Sequence, residues 1–475
     1  MPHNRPNILL IMTDEQRGDC LGIEQSCPVQ TPYLDNLAES GFWFRRAYTA
    51  CPVCIPARRT LMTGQKPASH GVLMNYNTHM ERPTLPGELT KAGYHTHLVG
   101  KLHLHPRRKL YGFMSAAWDD SPLTGGDYMR WLRRKGVQML DPGHGHGSDQ
   151  NGWVARPWHL DETLHFSNWC AEEALNFYER RDPTRPFFLK VSFHQPHAPC
   201  TPPQVYWDRY INMDLPEPYV GDWAKISDEP QPGTAVTSWR THITPAQMKQ
   251  YRAGYYGVVN HIDDQIARIL RHTPGNTVII FCSDHGEMLG DHHWIRKRNA
   301  FEPSARVPFI MKFPNGMGIK QGRQIHELVE LMDIMPTVLD MAGVEIPETV
   351  DGRSLMPLLR GETNEWRKYL HGECADVPSM NSGMQYITDE RYKYIWYPGS
   401  GLEHLFDLKE DPREMHNLAG KPDQLDRLRH YREILARELE GRPEGFVKDG
   451  KLQTLGGNTP FFLPEYENTG DKGSI

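Results

Sequence analysis

Residues 51–64 read CPVCIPARRTLMTG, and Cys51 and Cys54 have a spacing that could do chemistry. A CxxC pair can cycle between thiols and disulfide, or supply half of a tetrathiolate metal site. No second CxxC occurs to complete such a site. The same run also admits an electrostatic reading. Pro56 suits the first turn of a helix and Thr63-Gly64 its end, so the helix would aim its unpaired N–H groups and positive dipole end at Cys54. An anion would be drawn to that position.

Other reactive side chains recur just after short runs rich in branched apolar residues. Strands are predicted over 8–12, 96–99, 187–193, 277–282 and 307–311, and helices over 32–40, 248–271 and 331–342, the first and last stopped by Gly41 and Gly343. That alternation predicts an α/β fold with a mainly parallel sheet. Ligands of such sheets collect beyond the C-terminal ends of the strands. Asp14 follows the first run, Lys101 and His103 the second, His197 the third, and Asp284 and His285 the fourth. Strand ends far apart in sequence can thus converge on one pocket.

The 475 residues suffice for one large domain and a smaller one. A formal net charge of −6 argues against non-specific nucleic-acid binding, so any anion site must be a local cluster of Lys, Arg and His. Eight cysteines scattered from Cys20 to Cys374 form no disulfide framework. No apolar run approaches the ~20 residues of a membrane span. The N-terminus enters a strand at once with no leader, so a cytoplasmic location is expected. Residues 105–165, with GHGHG at 143–147, and residues 200–245 look like long irregular insertions. Beyond Trp366 the character changes: 385–398 and 405–418 read as antiparallel strands and turns, followed by a charged helix over 423–440. We therefore expect a larger α/β domain over 1–365 and a C-terminal α+β subdomain over 366–475. Nothing in the sequence sets an oligomeric state.

With Cys54, Pro56 and Arg58 as a CxPxR core, and with NILLIMTDEQ, GKLH, FHQPHAP, SDHGEMLGDHHWIRK and LFDLKEDPREMHNL following in order, the chain resembles the type I sulfatases over nearly its whole length. The resemblance implies an alkaline-phosphatase-like fold, a large mainly parallel sheet flanked by helices with a small four-stranded C-terminal sheet. It implies that a maturation enzyme oxidises Cys54 to formylglycine. By position, Asp14, Glu15, Asp284 and His285, with residue 54, correspond to ligands of one divalent cation. That ion is Ca²⁺ by the family's habit, with Mg²⁺ or Mn²⁺ admitted by the imidazole. The commoner pattern has Asp-Asp and Asp-Asn, so Glu15 and His285 are departures.

In the implied mechanism Arg58 and the metal hold the hydrated aldehyde, and Asp284 takes a proton as one oxygen attacks sulfur. His197 protonates the leaving alcohol, helped by Lys297, and His103 then deprotonates the second hydroxyl to release sulfate. Imidazoles, with an ordinary pKa of about 6.5, suit both proton transfers at neutral pH. Lys101 and Lys297 in one cleft would repel unless an anion lay between them. The expected substrate is a sulfated carbohydrate, with His105, Trp153, Arg156, Trp158, His144, His146 and His371 as candidate contacts. The rivals are a simple aryl sulfate, a phosphonate monoester or phosphodiester, and a binding protein on a silent scaffold. Lys101 and His103 argue for sulfate against phosphonate, and the intact set of charged groups argues against the silent scaffold.

Overall fold

Along NILLIMTD the alternate residues Ile8, Leu10 and Met12 enter one hydrophobic core and Leu9 and Ile11 another. A strand covered on both faces needs such an unbroken apolar run. In the computed structural model, which describes residues 5–120, 125–139, 142–225, 239–240, 243–362, 365–378, 380, 382–457, 459–460 and 463, this strand is central to an eight-stranded sheet. Its strands are β1 (Asn7–Asp14), β2 (Phe42–Phe44), β3 (His95–Gly100), β4 (Ser115–Trp118), β5 (Phe187–Pro196), β6 (Thr277–Ser283), β7 (Phe309–Lys312) and β8 (Arg323–Ile325). The spatial order is β4-β3-β5-β1-β6-β7-β2-β8. The first five run parallel, β7 is antiparallel to both neighbours, and β2 and β8 pair in parallel.

Helices α1 (Pro32–Ser40), α3 (Phe166–Arg180) and α4 (Pro245–His272) cover one face, through residues such as Leu34, Trp169 and Ile262. Helices α2 (Cys54–Thr63) and α5 (Ile334–Met341) cover the other through Leu61, Met62, Met335 and Leu339. The expected helix over 32–40 is found as read. That over 248–271 begins three residues earlier, because Thr244 and Gln247 form a capping box with Pro245 in the first turn. That over 331–342 splits into a 3₁₀ turn, Leu331–Asp333, and α5, since Pro336 has no N–H to give the Met332 carbonyl.

Residues 105–165 are less irregular than their composition suggests. They hold edge strand β4 and a helix at Asp127–Arg134; a four-residue edge strand, SAAW, is too short to show a period of two. Residues 200–245 include a helix at Gln204–Ile211, and 226–238 and 241–242 lie outside the described residues.

The C-terminal segment forms a four-stranded antiparallel sheet of β9 (Leu370–Val377), β10 (Ser382–Thr388), β11 (Tyr392–Tyr397) and β12 (Leu402–Asp407). The sequence reading had not assigned β9. Helix α6 (Leu425–Leu439) packs Leu428, Tyr431 and Leu435 on one face, against Tyr394 and Trp396. Ile395, Met384 and Phe406 on the opposite face share a core with Val53, Leu73 and Trp294 of the larger part. No helix of the described residues is long and apolar enough to cross a membrane.

Register aligns the reactive strand ends. Gly100 pairs with Ser192, Asp14 with Pro196 and Thr13 with Ser283. Four neighbouring strands, β3, β5, β1 and β6, therefore release Lys101, His197, Asp14 and Asp284 side by side.

Candidate active site

Helix α2 starts at Cys54, two residues before the expected Pro56, after an extended Val53. Pro56 still lies in the first turn, where a missing N–H loses nothing. Gly64, at φ 66, ends the helix by donating to the Thr60 carbonyl. The Cys54 side chain is 1 % exposed, its sulfur 3.2 Å from His285 Nε2 and 3.9 Å from Asp14 Oδ1. All eight cysteines are free. Cys51 turns its sulfur to the Leu73 carbonyl and towards Cys374, so the CxxC spacing brings the two thiols into no pair.

Asp14, Cys54, Asp284 and His285 are all buried, and each offers a ligand atom within 4.8 Å of the others. Arg58 bridges the two carboxylates, with Nη2 2.9 Å from Asp14 Oδ2 and Nε 2.8 Å from Asp284 Oδ2. Its remaining nitrogen donates to the Lys101 carbonyl and to Ser192 Oγ, both at 3.0 Å. Lys101 Nζ lies 2.5 Å from Asp14 Oδ2. Asp284 Oδ1 accepts the backbone N–H groups of Glu15 and His285. His285 Nδ1 donates to the Gly286 carbonyl, which turns Nε2 towards Cys54.

Charge governs the protonation of this group. Burial alone would raise Asp14, but Lys101 and Arg58 hold it well below the carboxylate range. Burial and Asp14 oppose ionisation of Cys54, yet Lys297, Lys101 and His285 bring its pKa well down. Burial would lower His285, and Asp284 and Cys54 instead raise it to about 9. Two carboxylates, one imidazole and an atom at position 54 fit a divalent cation of the Ca²⁺, Mg²⁺ or Mn²⁺ kind. The high imidazole pKa marks the site as one where metal and protons compete.

Glu15 stands outside that four-donor group. Its φ of 70 and the hydrogen bond from Tyr255 Oη to its carbonyl turn the side chain the other way. Oε2 lies 3.1 Å from Lys297 Nζ and 3.4 Å from His197 Nε2, and Oε1 is buried without a partner among the described residues. Asp14, Glu15 and His197 make a second set that could hold a cation, although Lys297 already neutralises it. Burial pushes the Glu15 carboxyl well up. Burial and then Lys297 push His197 well down, and its Nδ1 donates to the Ala198 carbonyl at 2.8 Å.

Lys297 is 3 % exposed; burial would lower it, but Cys54, Glu15 and Asp14 hold it above the ordinary lysine range. Its neighbours Arg296 and Arg298 have φ of 69 and 76 and place their guanidinium groups 3.6 and 4.4 Å from the Trp239 ring centre. Both are half-buried, and Arg298 also pairs with Asp376 at 2.7 Å. His103, at φ 54, has its backbone held by Asp120 and a buried Nδ1 without a partner among the described residues.

Cys54, Arg58, Lys101, Asp14, Glu15, His197, Asp284, His285 and Lys297 thus come together, as read from sequence. The candidate leaving-group contacts have other partners in the fold. Arg156 donates to the His146 carbonyl, and Trp158 packs on His165 and bonds the Asp161 carbonyl. His371 bonds Gln385 within the small sheet. His105 lies with its ring centre 5.6 Å from that of His79. Trp153 packs in the core beneath α4. The side chain of His144 lies outside the described residues.

The sequence reading missed two groups. His194 is 8 % exposed with neither ring nitrogen partnered among the described residues, its ring centre 5.0 Å from that of His197. Lys190, buried behind Arg58, is pushed down to about 7 by burial and then by that guanidinium. Lys190, Ser192 and His194 alternate along an otherwise apolar strand; that period of two was the available signal.

A large mixed sheet with nucleophile, metal donors and paired lysines beyond its strand ends defines an alkaline-phosphatase-like hydrolase. The chain belongs to the sulfatase family: the sulfatase model matches residues 6–344, and the model of the N-sulphoglucosamine sulphohydrolase C-terminal region matches 290–440. It is a sulfatase by class of enzyme. An arylsulfatase of Clostridium perfringens is 41 % identical over 94 % of this chain and 97 % of its own. An N-acetylglucosamine-6-O-sulfatase of Bacteroides thetaiotaomicron is 26 % identical, over 91 % and 86 %. Among solved structures, a phosphonate monoester hydrolase of Agrobacterium radiobacter superposes with a TM-score of 0.78 at 26 % identity, over 91 % and 95 %.

Proposed function

We propose that the protein hydrolyses sulfate esters of saccharides, with formylglycine made from Cys54 by a maturation enzyme and one divalent cation among Asp14, residue 54, Asp284 and His285. The observation that carries this reading is Arg58, fully buried and bridging Asp14 and Asp284 directly beneath Cys54. When bound, the cation supplies Lewis acidity towards the sulfuryl oxygens, and the hydrated aldehyde supplies a nucleophilic oxygen. Ca²⁺ is the first choice, with Mg²⁺ or Mn²⁺ as alternatives.

Lys101 and Lys297 neutralise the ester's charge in a site closed to bulk water, where each is 3 % exposed or less. Asp284 orients position 54 and receives its proton. His197 has Nδ1 fixed by Ala198, so Nε2, with Glu15 Oε2 3.4 Å from it, is the atom that carries a proton to the leaving oxygen. Such a transfer contributes on the order of 10²–10⁴ in rate. His103 serves as base for the release of sulfate.

Support for a saccharide comes from the relative that acts on N-acetylglucosamine 6-O-sulfate. The arylsulfatase relative supports an aryl ester instead, and the likeness to a phosphonate monoester hydrolase supports that rival. Lys101 inside the site favours sulfate over phosphonate. One experiment tests the set: mass spectrometry of the Cys54 peptide, which loses mass on conversion, alongside turnover of position-defined sulfated saccharides, an aryl sulfate and an aryl phosphonate. Conversion with fastest turnover of a saccharide sulfate is expected. An unmodified thiol in active protein, or a faster phosphonate, overturns the reading.

A further inference from the structure

Glu15 occupies the place of a metal carboxylate in the sequence, yet its carboxylate lies with Lys297 and His197. We propose that Glu15 is a positioning residue that ties Lys297 to His197 and aims the imidazole at the leaving oxygen, and that it ligates no metal. The inference rests on the sulfatase reading and adds a role to one of its residues.

Three constraints fix the carboxylate. The backbone N–H of Glu15 donates to Asp284 Oδ1 at 3.1 Å, and its carbonyl accepts Tyr255 Oη at 2.7 Å. Between these anchors φ is 70, a region that side-chain-bearing residues enter only when their surroundings impose it. After this turn the Asp14 side chain meets Arg58 and Cys54, whereas Glu15 is not among the four donors gathered at Cys54. Oε2 then meets Lys297 Nζ at 3.1 Å and His197 Nε2 at 3.4 Å.

His197 is held from the other side by Nδ1 on the Ala198 carbonyl and by its backbone N–H on the Asp14 carbonyl at 2.9 Å. An imidazole pinned at Nδ1 can still tilt about that bond, and the Glu15 contact beside Nε2 limits the tilt. A cation among Asp14, Glu15 and His197 would have to displace the ammonium of Lys297 from its carboxylate. The ammonium already supplies the positive charge that such an ion would bring.

The test compares wild type, Glu15→Gln and Asp284→Asn by bound metal per chain, and by kcat across aryl sulfates whose leaving phenols range from nitro- to methoxy-substituted. We expect one ion per chain in wild type and in Glu15→Gln, and loss of the ion in Asp284→Asn. Glu15→Gln should lose on the order of 10-fold with the nitrophenyl ester and on the order of 100-fold with the methoxyphenyl ester, because the poorer leaving group depends more on a well-placed acid. Glu15→Asp, whose shorter side chain withdraws from both partners, should repeat the pattern and serves where Glu15→Gln does not fold. Loss of the ion from Glu15→Gln would make Glu15 a ligand. Two ions in wild type with one lost in the variant would make it part of a second metal seat, and an equal loss on every ester would remove its action through His197. Each result overturns the proposal. The ion count needs no substrate, so it decides the place of Glu15 even if the sulfate reading fails.

Discussion

At position 58 the guanidinium stands between two carboxylates with no solvent to screen any of the three charges. A buried pair contributes little net stability, but removing one partner strands the other. Arg58→Met strands two, with Lys101 left to compensate Asp14 and His285 only part of Asp284. The expected outcome is a loss of about 3–5 kcal/mol in the metal-stripped protein, read as a lower urea midpoint. Arg58→Lys should recover little, because one ammonium cannot span both carboxylates. A shift below about 1 kcal/mol would mean that water reaches the carboxylates. The residue types at this site were legible because their motifs occur in a recognisable order. The turn at Glu15 was not. A carboxylate beside a metal carboxylate reads as a second ligand, and only the fold shows it meeting Lys297 and His197.

Elements do the positioning, and the tightest fit lies where β3 delivers Lys101. Gly100 ends that strand at φ 85, and a Cβ there would lie 2.1 Å from the Ser192 carbonyl oxygen. The Lys101 N–H donates to that same oxygen at 2.9 Å. Gly100→Ala must therefore push β3 from β5 and carry Lys101 off Asp14. We expect at least about 2 kcal/mol of destabilisation and a fall in kcat/KM of more than about 10-fold, measured by urea unfolding and aryl sulfate turnover. Thr244→Ala, at the far cap of α4, is the control: about 1 kcal/mol of stability with kcat unchanged. The long strands and helices were legible from their periodicity. Short edges such as β4 and the first strand of the small sheet were not, because four residues or a mixed pattern like LHGECADV carry too few alternations to fix a face.

At the scale of the whole molecule, buried titratable groups spread over every layer set how stability varies with pH. Burial pushes His97 and His292 down to about 4 and His165 and His404 down to about 3. His70 and His261 are likewise lowered by burial. Against an unfolded value of about 6.5, such groups contribute stability that is present above that pH and lost as pH falls through their folded values. Asp263 and Glu330 are raised to about 8 by burial, and Glu414 to about 7. Against unfolded values of about 4, they contribute stability present in acid and lost as pH rises towards their folded values. Between about pH 4 and 6.5 the two sets oppose, and six histidines outweigh three carboxyls, each net proton giving a slope of about 1.4 kcal/mol per pH unit. Above about pH 6.5 these histidines no longer differ between states; the carboxyls, and His285 raised to about 9, lose stability as pH rises, and Lys190, lowered to about 7, offsets only one of them. Stability of the metal-stripped protein should therefore peak near pH 6.5 and fall on both sides. Urea midpoints at pH 5, 6.5 and 8 check this. A midpoint that rises steadily to pH 8 would show that the buried carboxyls are ionised in the folded protein. Such a result would also place a charge on Asp263, which accepts the first N–H groups of α1 at 2.9 and 3.0 Å.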